Sequence, residues 1–111
     1  MGAASVSRYA RRRDGNHSAL KAAFEQMGCS VCDMSNVGIP GWPDVVVGVM
    51  GRNHMIEFKN PATRYGRAGL NPNQQAFSRD WKGGKLFAVS SVDEVAALVR
   101  NLRCMTGALQ Q

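Results

Sequence analysis

Two apolar runs, PDVVVGVM (residues 43–50) and HMIEFKN (residues 54–60), are separated only by GRN, and that closeness constrains the fold more than any other feature. Runs so near in sequence can pair only as an antiparallel hairpin. Side chains alternate across a strand, so Ile56 and Phe58 point to one face while Glu57 and Lys59 point to the other. The apolar pair suits a core, which leaves a carboxylate and an ammonium group together on the opposite face. Asp44 opens the neighbouring strand, and a short hairpin brings its carboxylate beside that of Glu57.

Two adjacent carboxylates repel, and each is harder to ionise unless a cation neutralises them. A hard divalent ion does so. Mg²⁺ accepts one or two carboxylates, here Asp44 and Glu57, together with a backbone carbonyl, for which that of Phe58 is placed, and several waters. Such an ion acidifies bound water and shields charge building on a phosphate. Lys59, on the same face, can hold or help deprotonate an attacking water and steady the transition state. The layout is that of a phosphodiesterase. The plainer account is a cross-strand Glu57–Lys59 ion pair on a solvated edge, with Asp44 as a turn residue after Pro43.

The rest of the chain supplies a frame for this hairpin. Residues 16–27 carry Leu20, Ala23, Phe24 and Met27 on one helical face, ended by Gly28. CSVCDM (29–34) reads as a short strand, followed by the glycine-bearing loop SNVGIPGW. A second helix starts at NPNQ, with Asn71 as its cap, Pro72 at the first position, and Phe77 and Trp81 pointing inward. GGKLFAVS (83–90) reads as a fourth strand. Ser91 opens a last helix in which Glu94 completes a capping box and Val95, Leu98, Val99 and Leu102 form the buried stripe. The predicted class is α/β, with a small mixed sheet flanked by helices in the order α-β-β-β-α-β-α.

With 111 residues, 44% of them apolar, the chain is expected to form one domain around one core. No apolar run approaches the ~18 residues of a membrane span. The first fifteen residues lack the apolar stretch of a signal peptide, so a soluble intracellular protein is expected. Fourteen Lys and Arg against eight Asp and Glu give a net charge of +6, which favours a polyanionic partner, nucleic acid first. Cys29 and Cys32 have CxxC spacing, but with no second pair at zinc spacing the three cysteines are read as buried free thiols. His17 and His54 are read as ordinary, His54 facing with Ile56 and Phe58 away from the carboxylates.

Taken together, GIPGWPDVVVG, HMIEFKN, LNPNQQAF and GKLFAVSSVDEVAALV resemble the VRR-NUC branch of the PD-(D/E)XK nucleases, of the stand-alone phage or bacterial type. In that pattern a Gly-x-Pro-Asp loop feeds strand two, Glu-x-Lys lies on strand three, and a Gln stands at the start of the next helix. The resemblance runs from about residue 14 to residue 102. It implies a restriction-endonuclease-like core over 14–104, preceded by a basic arm (1–13) and followed by a tail (105–111). It implies Asp44 and Glu57 as metal ligands, Lys59 as the catalytic lysine, and Gln74 near the metal or scissile phosphate. Gln74 shares the inward face of Phe77 and Trp81, and on its position alone a capping box with Asn71 explains it equally well. Related nucleases often place a Glu on the first helix; here the region offers Asp14, Asn16 and His17, and Asn16 is best placed to reach a metal through water, an N-cap role serving it as well.

The resemblance further implies Mg²⁺- or Mn²⁺-dependent cleavage of structured DNA, with four-way junctions nicked by a homodimer in a bacterial or phage-infected cytoplasm. Arg11, Arg12 and Arg13, then Arg64, Tyr65 and Arg67, then Arg79, Lys82 and Lys85 are the expected DNA contacts. The cations would position phosphates, and Tyr65 could stack on an exposed base. No helix carries a base-reading set of side chains, so shape rather than sequence is the expected target. The readings kept beside this one are an endonuclease without junction preference and a non-catalytic nucleic-acid-binding module.

Overall fold

The structure, a computed structural model, describes residues 16–64 and 68–110, the last five by backbone alone. Its elements run α1 (His17–Gln26), β1 (Ser30–Asp33), β2 (Val45–Val49), β3 (Arg52–Phe58), α2 (Pro72–Asp80), β4 (Leu86–Val89) and α3 (Val92–Gln110). The four strands form one mixed sheet in the order β1-β2-β3-β4. The first three are antiparallel neighbours, and β4 is parallel to β3. A parallel pair needs a crossover connection, and the segment containing α2 provides it. No helix among the described residues is long and apolar enough to cross a membrane.

Alternation decides which face of the sheet is the core. Val45, Val47 and Val49 of β2 and Ile56 and Phe58 of β3 are buried, and α1 and α3 cover them with Leu20, Phe24, Val95, Val99 and Leu102. Phe24 stacks on Phe58 at 6.3 Å between ring centroids. The glycine after α1 sets its exit angle: Gly28 has φ +86°, its N–H donates to Glu25 and the next N–H, of Cys29, donates to Phe24. That pair of bonds is the Schellman arrangement, which a left-handed residue makes possible. Arg103 of α3 adds a donor to the Met27 carbonyl and ties the two helices.

Several details differ from the sequence reading. The hairpin turn is Met50–Gly51, one residue earlier than GRN, because Val49 pairs with Arg52. Both turn residues have positive φ, +54° and +76°, the combination that matches the twist of the flanking strands. Methionine is poorly suited to that region, so Met50→Asn is expected to stabilise the protein by about 0.5–1 kcal/mol, read as a raised urea midpoint at unchanged slope.

Trp81 does not point inward but is 44% exposed at the end of α2. Cys29 alone of the three thiols is buried; Cys32 and Cys104 are exposed. Cys32 pairs with Val46 on the face that α1 and α3 leave open. Glu94 does not close back on Ser91. Its carboxylate accepts from the N–H and hydroxyl of Ser90 at 2.6 and 2.8 Å, while Ser91 Oγ accepts from the Glu94 N–H. The last helix runs past residue 104 to Gln110.

Candidate functional site

The expected quartet Asp44, Glu57, Lys59 and Gln74 comes together at one end of the hairpin. Asp44 lies immediately before β2, and its carboxylate accepts the Phe58 N–H at 2.7 Å, which fixes it against the end of β3. Lys59 lies one residue past β3, yet its N–H still donates to Val89, so its side chain keeps the alternation of the strand. Glu57 and Lys59 are 5% and 7% exposed, and Gln74 is 8% exposed. A solvated edge pair is therefore not what the structure contains. Burial of a carboxylate and an ammonium group is costly unless each finds partners.

Gln74 is the shared partner. Its Oε1 accepts from Lys59 Nζ at 2.7 Å, and its Nε2 donates to Glu57 Oε2. The same side chain completes a capping box, Oε1 accepting the Asn71 N–H at 3.0 Å while Asn71 Oδ1 accepts the Gln74 N–H. The capping role and the site role are thus one arrangement: the helix cap orients the amide that bridges Glu57 and Lys59. Gln74→Ala is expected to cost about 1–3 kcal/mol in urea unfolding, because it leaves buried polar groups with fewer partners and half-removes the cap.

Glu57 is strongly perturbed. Burial first, and then the Asp44 carboxylate beside it, push its pKa from an ordinary 4.5 up to about 8, while Lys59 and the Asp44 main-chain N–H pull it down. As a carboxylate its Oε1 is buried without a hydrogen-bond donor among the described residues. Protonated, it can share that proton with Asp44. Beside the Asp44 carboxyl group, Glu57 is thus held toward its neutral form, against the pull of Lys59.

Asn16 heads α1 without a side-chain cap bond. Its Nδ2 instead donates to the carbonyls of Lys59 and Ser90 at 2.9 and 3.2 Å, joining the ends of β3 and β4, and its Oδ1 is buried with no donor among the described residues. His17, next along α1, is buried, lies 3.3 Å from Asp33 and packs edge-on against Phe58. Strand alternation puts Asp33 on the core face, which is the signal that could have revealed this pair. His54 sits on the core side opposite Val47 and packs against Phe87.

The loop before Asp44 is clamped onto α2. Gly41 has φ +81°, and a Cβ there would run into the main chain of Asn73. Trp42, the next residue, packs edge-on against Phe77. The glycine therefore allows the Asp44 loop and the Gln74 helix to touch backbone to backbone.

Of the expected DNA contacts, Arg64, Arg79, Lys82 and Lys85 are exposed. Arg79 is engaged by Asp80 through two bonds of 2.8 and 2.9 Å, and Lys85 lies 5.6 Å from the Phe87 ring. Arg11, Arg12, Arg13, Tyr65 and Arg67 lie outside the described residues. Among the described residues no group of three or more His, Cys, Asp and Glu side chains is arranged to hold a metal; the acidic pair Asp44–Glu57 stands with amide and ammonium partners instead. Comparison with protein-family models, curated proteins and solved structures gives no match.

Proposed function

We propose that this protein is a metal-dependent, structure-selective DNA endonuclease of the PD-(D/E)XK type, close to its VRR-NUC branch. The observation that carries the reading is the buried, mutually bonded set of Asp44, Glu57, Lys59 and Gln74 on a hairpin capped by α2. The element order and the mixed sheet agree with the αβββαβα core that this class uses.

The donor set fits Mg²⁺ or Mn²⁺. Asp44 and Glu57 offer hard oxygens, the Phe58 carbonyl follows Glu57 directly in sequence, and an otherwise donorless Glu57 oxygen is available as a ligand. Two carboxylates suffice for Mg²⁺, which keeps most of its waters. Asn16 Oδ1 could accept from one of those waters. When bound, the ion would acidify a water and shield the phosphate charge.

The chain's own groups do the rest. Asp44 and Glu57 hold the centre, Asp44 being positioned by the Phe58 N–H. Gln74 keeps Lys59 Nζ and Glu57 in a fixed relation, so that the ammonium group can orient the attacking water and meet the charge that develops on the phosphate. Burial keeps Lys59 from being screened by solvent. Basic residues on the loops and α2 would position phosphates without reading bases. A homodimer supplies two such sites, one for each strand of a symmetric junction.

The test is cleavage of an end-labelled four-way junction and a matched linear duplex with Mg²⁺, Mn²⁺ or EDTA, by wild type and Asp44→Ala. Metal-dependent paired nicks on the junction, absent in the variant, are the expected result. Equal cutting of both DNAs would remove junction selectivity, and no cutting of any branched or linear DNA would overturn the enzymatic reading in favour of a binding module.

A further inference from the structure

Next to the quartet stands an aromatic cluster that the hydrolytic chemistry does not use. Trp81 stacks on Phe77 at 5.1 Å between centroids and 17° between planes. Trp42 meets both edge-on, at 5.5 and 5.7 Å. Trp81 is nevertheless 44% exposed, and Ile39 in the adjoining loop is 54% exposed.

We propose that Trp81, backed by Phe77 and Trp42, is a stacking platform for an unpaired nucleobase. The substrate class is then DNA with single-stranded or unstacked bases beside the cleaved phosphodiester, an assignment that rests on the nuclease reading for what lies next door.

Four observations carry this. First, the platform is rooted in the site: Trp42 is two residues from Asp44, and α2 carries Gln74 at its start and Phe77 one turn later. From Gln74 to Trp81 the helix rises about 10 Å, roughly the height of three stacked bases. Second, the indole is held in place before any ligand arrives. A Cβ at Gly83 would lie 2.7 Å from Trp81 Nε1, so the chain folds closely under the ring, and Phe77 and Trp42 hold it from other sides. A preset aromatic surface loses little freedom on binding.

Third, its neighbours in sequence are basic. Lys82 follows directly and is exposed, whereas Arg79 is engaged by Asp80 and Lys85 lies by Phe87. An exposed flat ring with Lys82 beside it in a chain of net charge +6 matches a nucleotide, which presents a π-face and a phosphate, better than it matches an apolar protein partner. Fourth, Trp81 lies outside the core, which α1 and α3 close on the other face of the sheet.

The chain contains two tryptophans, and both belong to this cluster, so fluorescence excited to the red of tyrosine absorption reports on it. The experiment is a fluorescence titration with a short oligothymidylate and with a blunt duplex of equal length, in EDTA at low salt. The expected result is saturable quenching by the single strand, with Trp81→Ala weakening that binding about tenfold and leaving duplex binding unchanged. Trp81→Phe keeps a stacking face and is expected to retain most of the affinity.

The proposal is overturned if single strand and duplex quench alike, if Trp81→Ala binds the single strand as wild type does, or if sedimentation shows a wild-type dimer that Trp81→Ala dissociates. Because binding is read in EDTA, a protein that stacks bases but never cleaves would refute the nuclease reading alone. One that cleaves without stacking would refute the platform alone.

Discussion

Lys59→Met is expected to lower DNA cleavage by about 10²–10³-fold while leaving DNA binding within about twofold of wild type. Methionine keeps the length and apolar stem of the side chain, so the buried slot stays filled and only the ammonium group is lost. Gln74 is not orphaned by the change, because its Oε1 still accepts the Asn71 N–H. The lost charge has a second consequence. Lys59 is the cation that lowers the Glu57 pKa, so in Lys59→Met the Glu57 carboxyl should hold its proton to higher pH and need more metal to release it. Single-turnover cleavage across pH and Mg²⁺ concentration separates the two effects. A rate that returns to wild type at high pH and high Mg²⁺ would confine Lys59 to tuning Glu57, whereas a deficit that persists there is what a group acting on the phosphate or water produces.

The second large effect concerns stability. Glu57 holds its proton up to about pH 8 in the folded protein but only to about 4.5 when unfolded. Between those values the folded state binds more protons, so unfolding releases one and stability falls as pH rises. Its contribution is complete below pH 4.5 and is lost on the way to pH 8, at roughly 1.4 kcal/mol per pH unit. Glu57→Gln mimics the protonated form and should remove this slope, leaving the variant more stable than wild type at pH 8 without metal. Mg²⁺ or Mn²⁺ should stabilise wild type increasingly with pH, and the variant hardly at all. Urea midpoints at pH 5, 6.5 and 8 check both statements; parallel lines for the two proteins would show that Glu57 is not held neutral.

The legible part of this molecule is the part governed by strict periodicity. Alternation along β3 separates Ile56 and Phe58 from Glu57 and Lys59, and the short hairpin brings Asp44 across to Glu57, so the acidic pair could be read from spacing alone. Gln74 was legible as a face position and as a cap, but that one amide serves both uses depends on how far α2 sits from β3, which no local pattern encodes. Asn16 read as a cap or a water-mediated ligand, whereas its amide donates across to Lys59 and Ser90, a contact set by tertiary closure. The turn lies one residue before GRN because Met50 adopts a conformation that methionine seldom takes, forced by the pairing of Val49 with Arg52. Trp81 and Cys32 read as buried because apolar residues on a helix or strand predict burial only where another layer covers them, and the second face of this sheet is covered mainly at the end near α2.

The central claim is that Asp44 and Glu57 form a site for one divalent cation, and calorimetric titration of Mn²⁺ at pH 7 tests it most directly. Run in two buffers of different ionisation enthalpy, wild type should bind Mn²⁺ and release close to one proton, supplied by Glu57 as the ion takes its place. Glu57→Gln should release none, and Asp44→Ala should bind far more weakly. Absence of binding in wild type, or equal binding after Asp44→Ala, would contradict the metal site and with it the proposed nuclease.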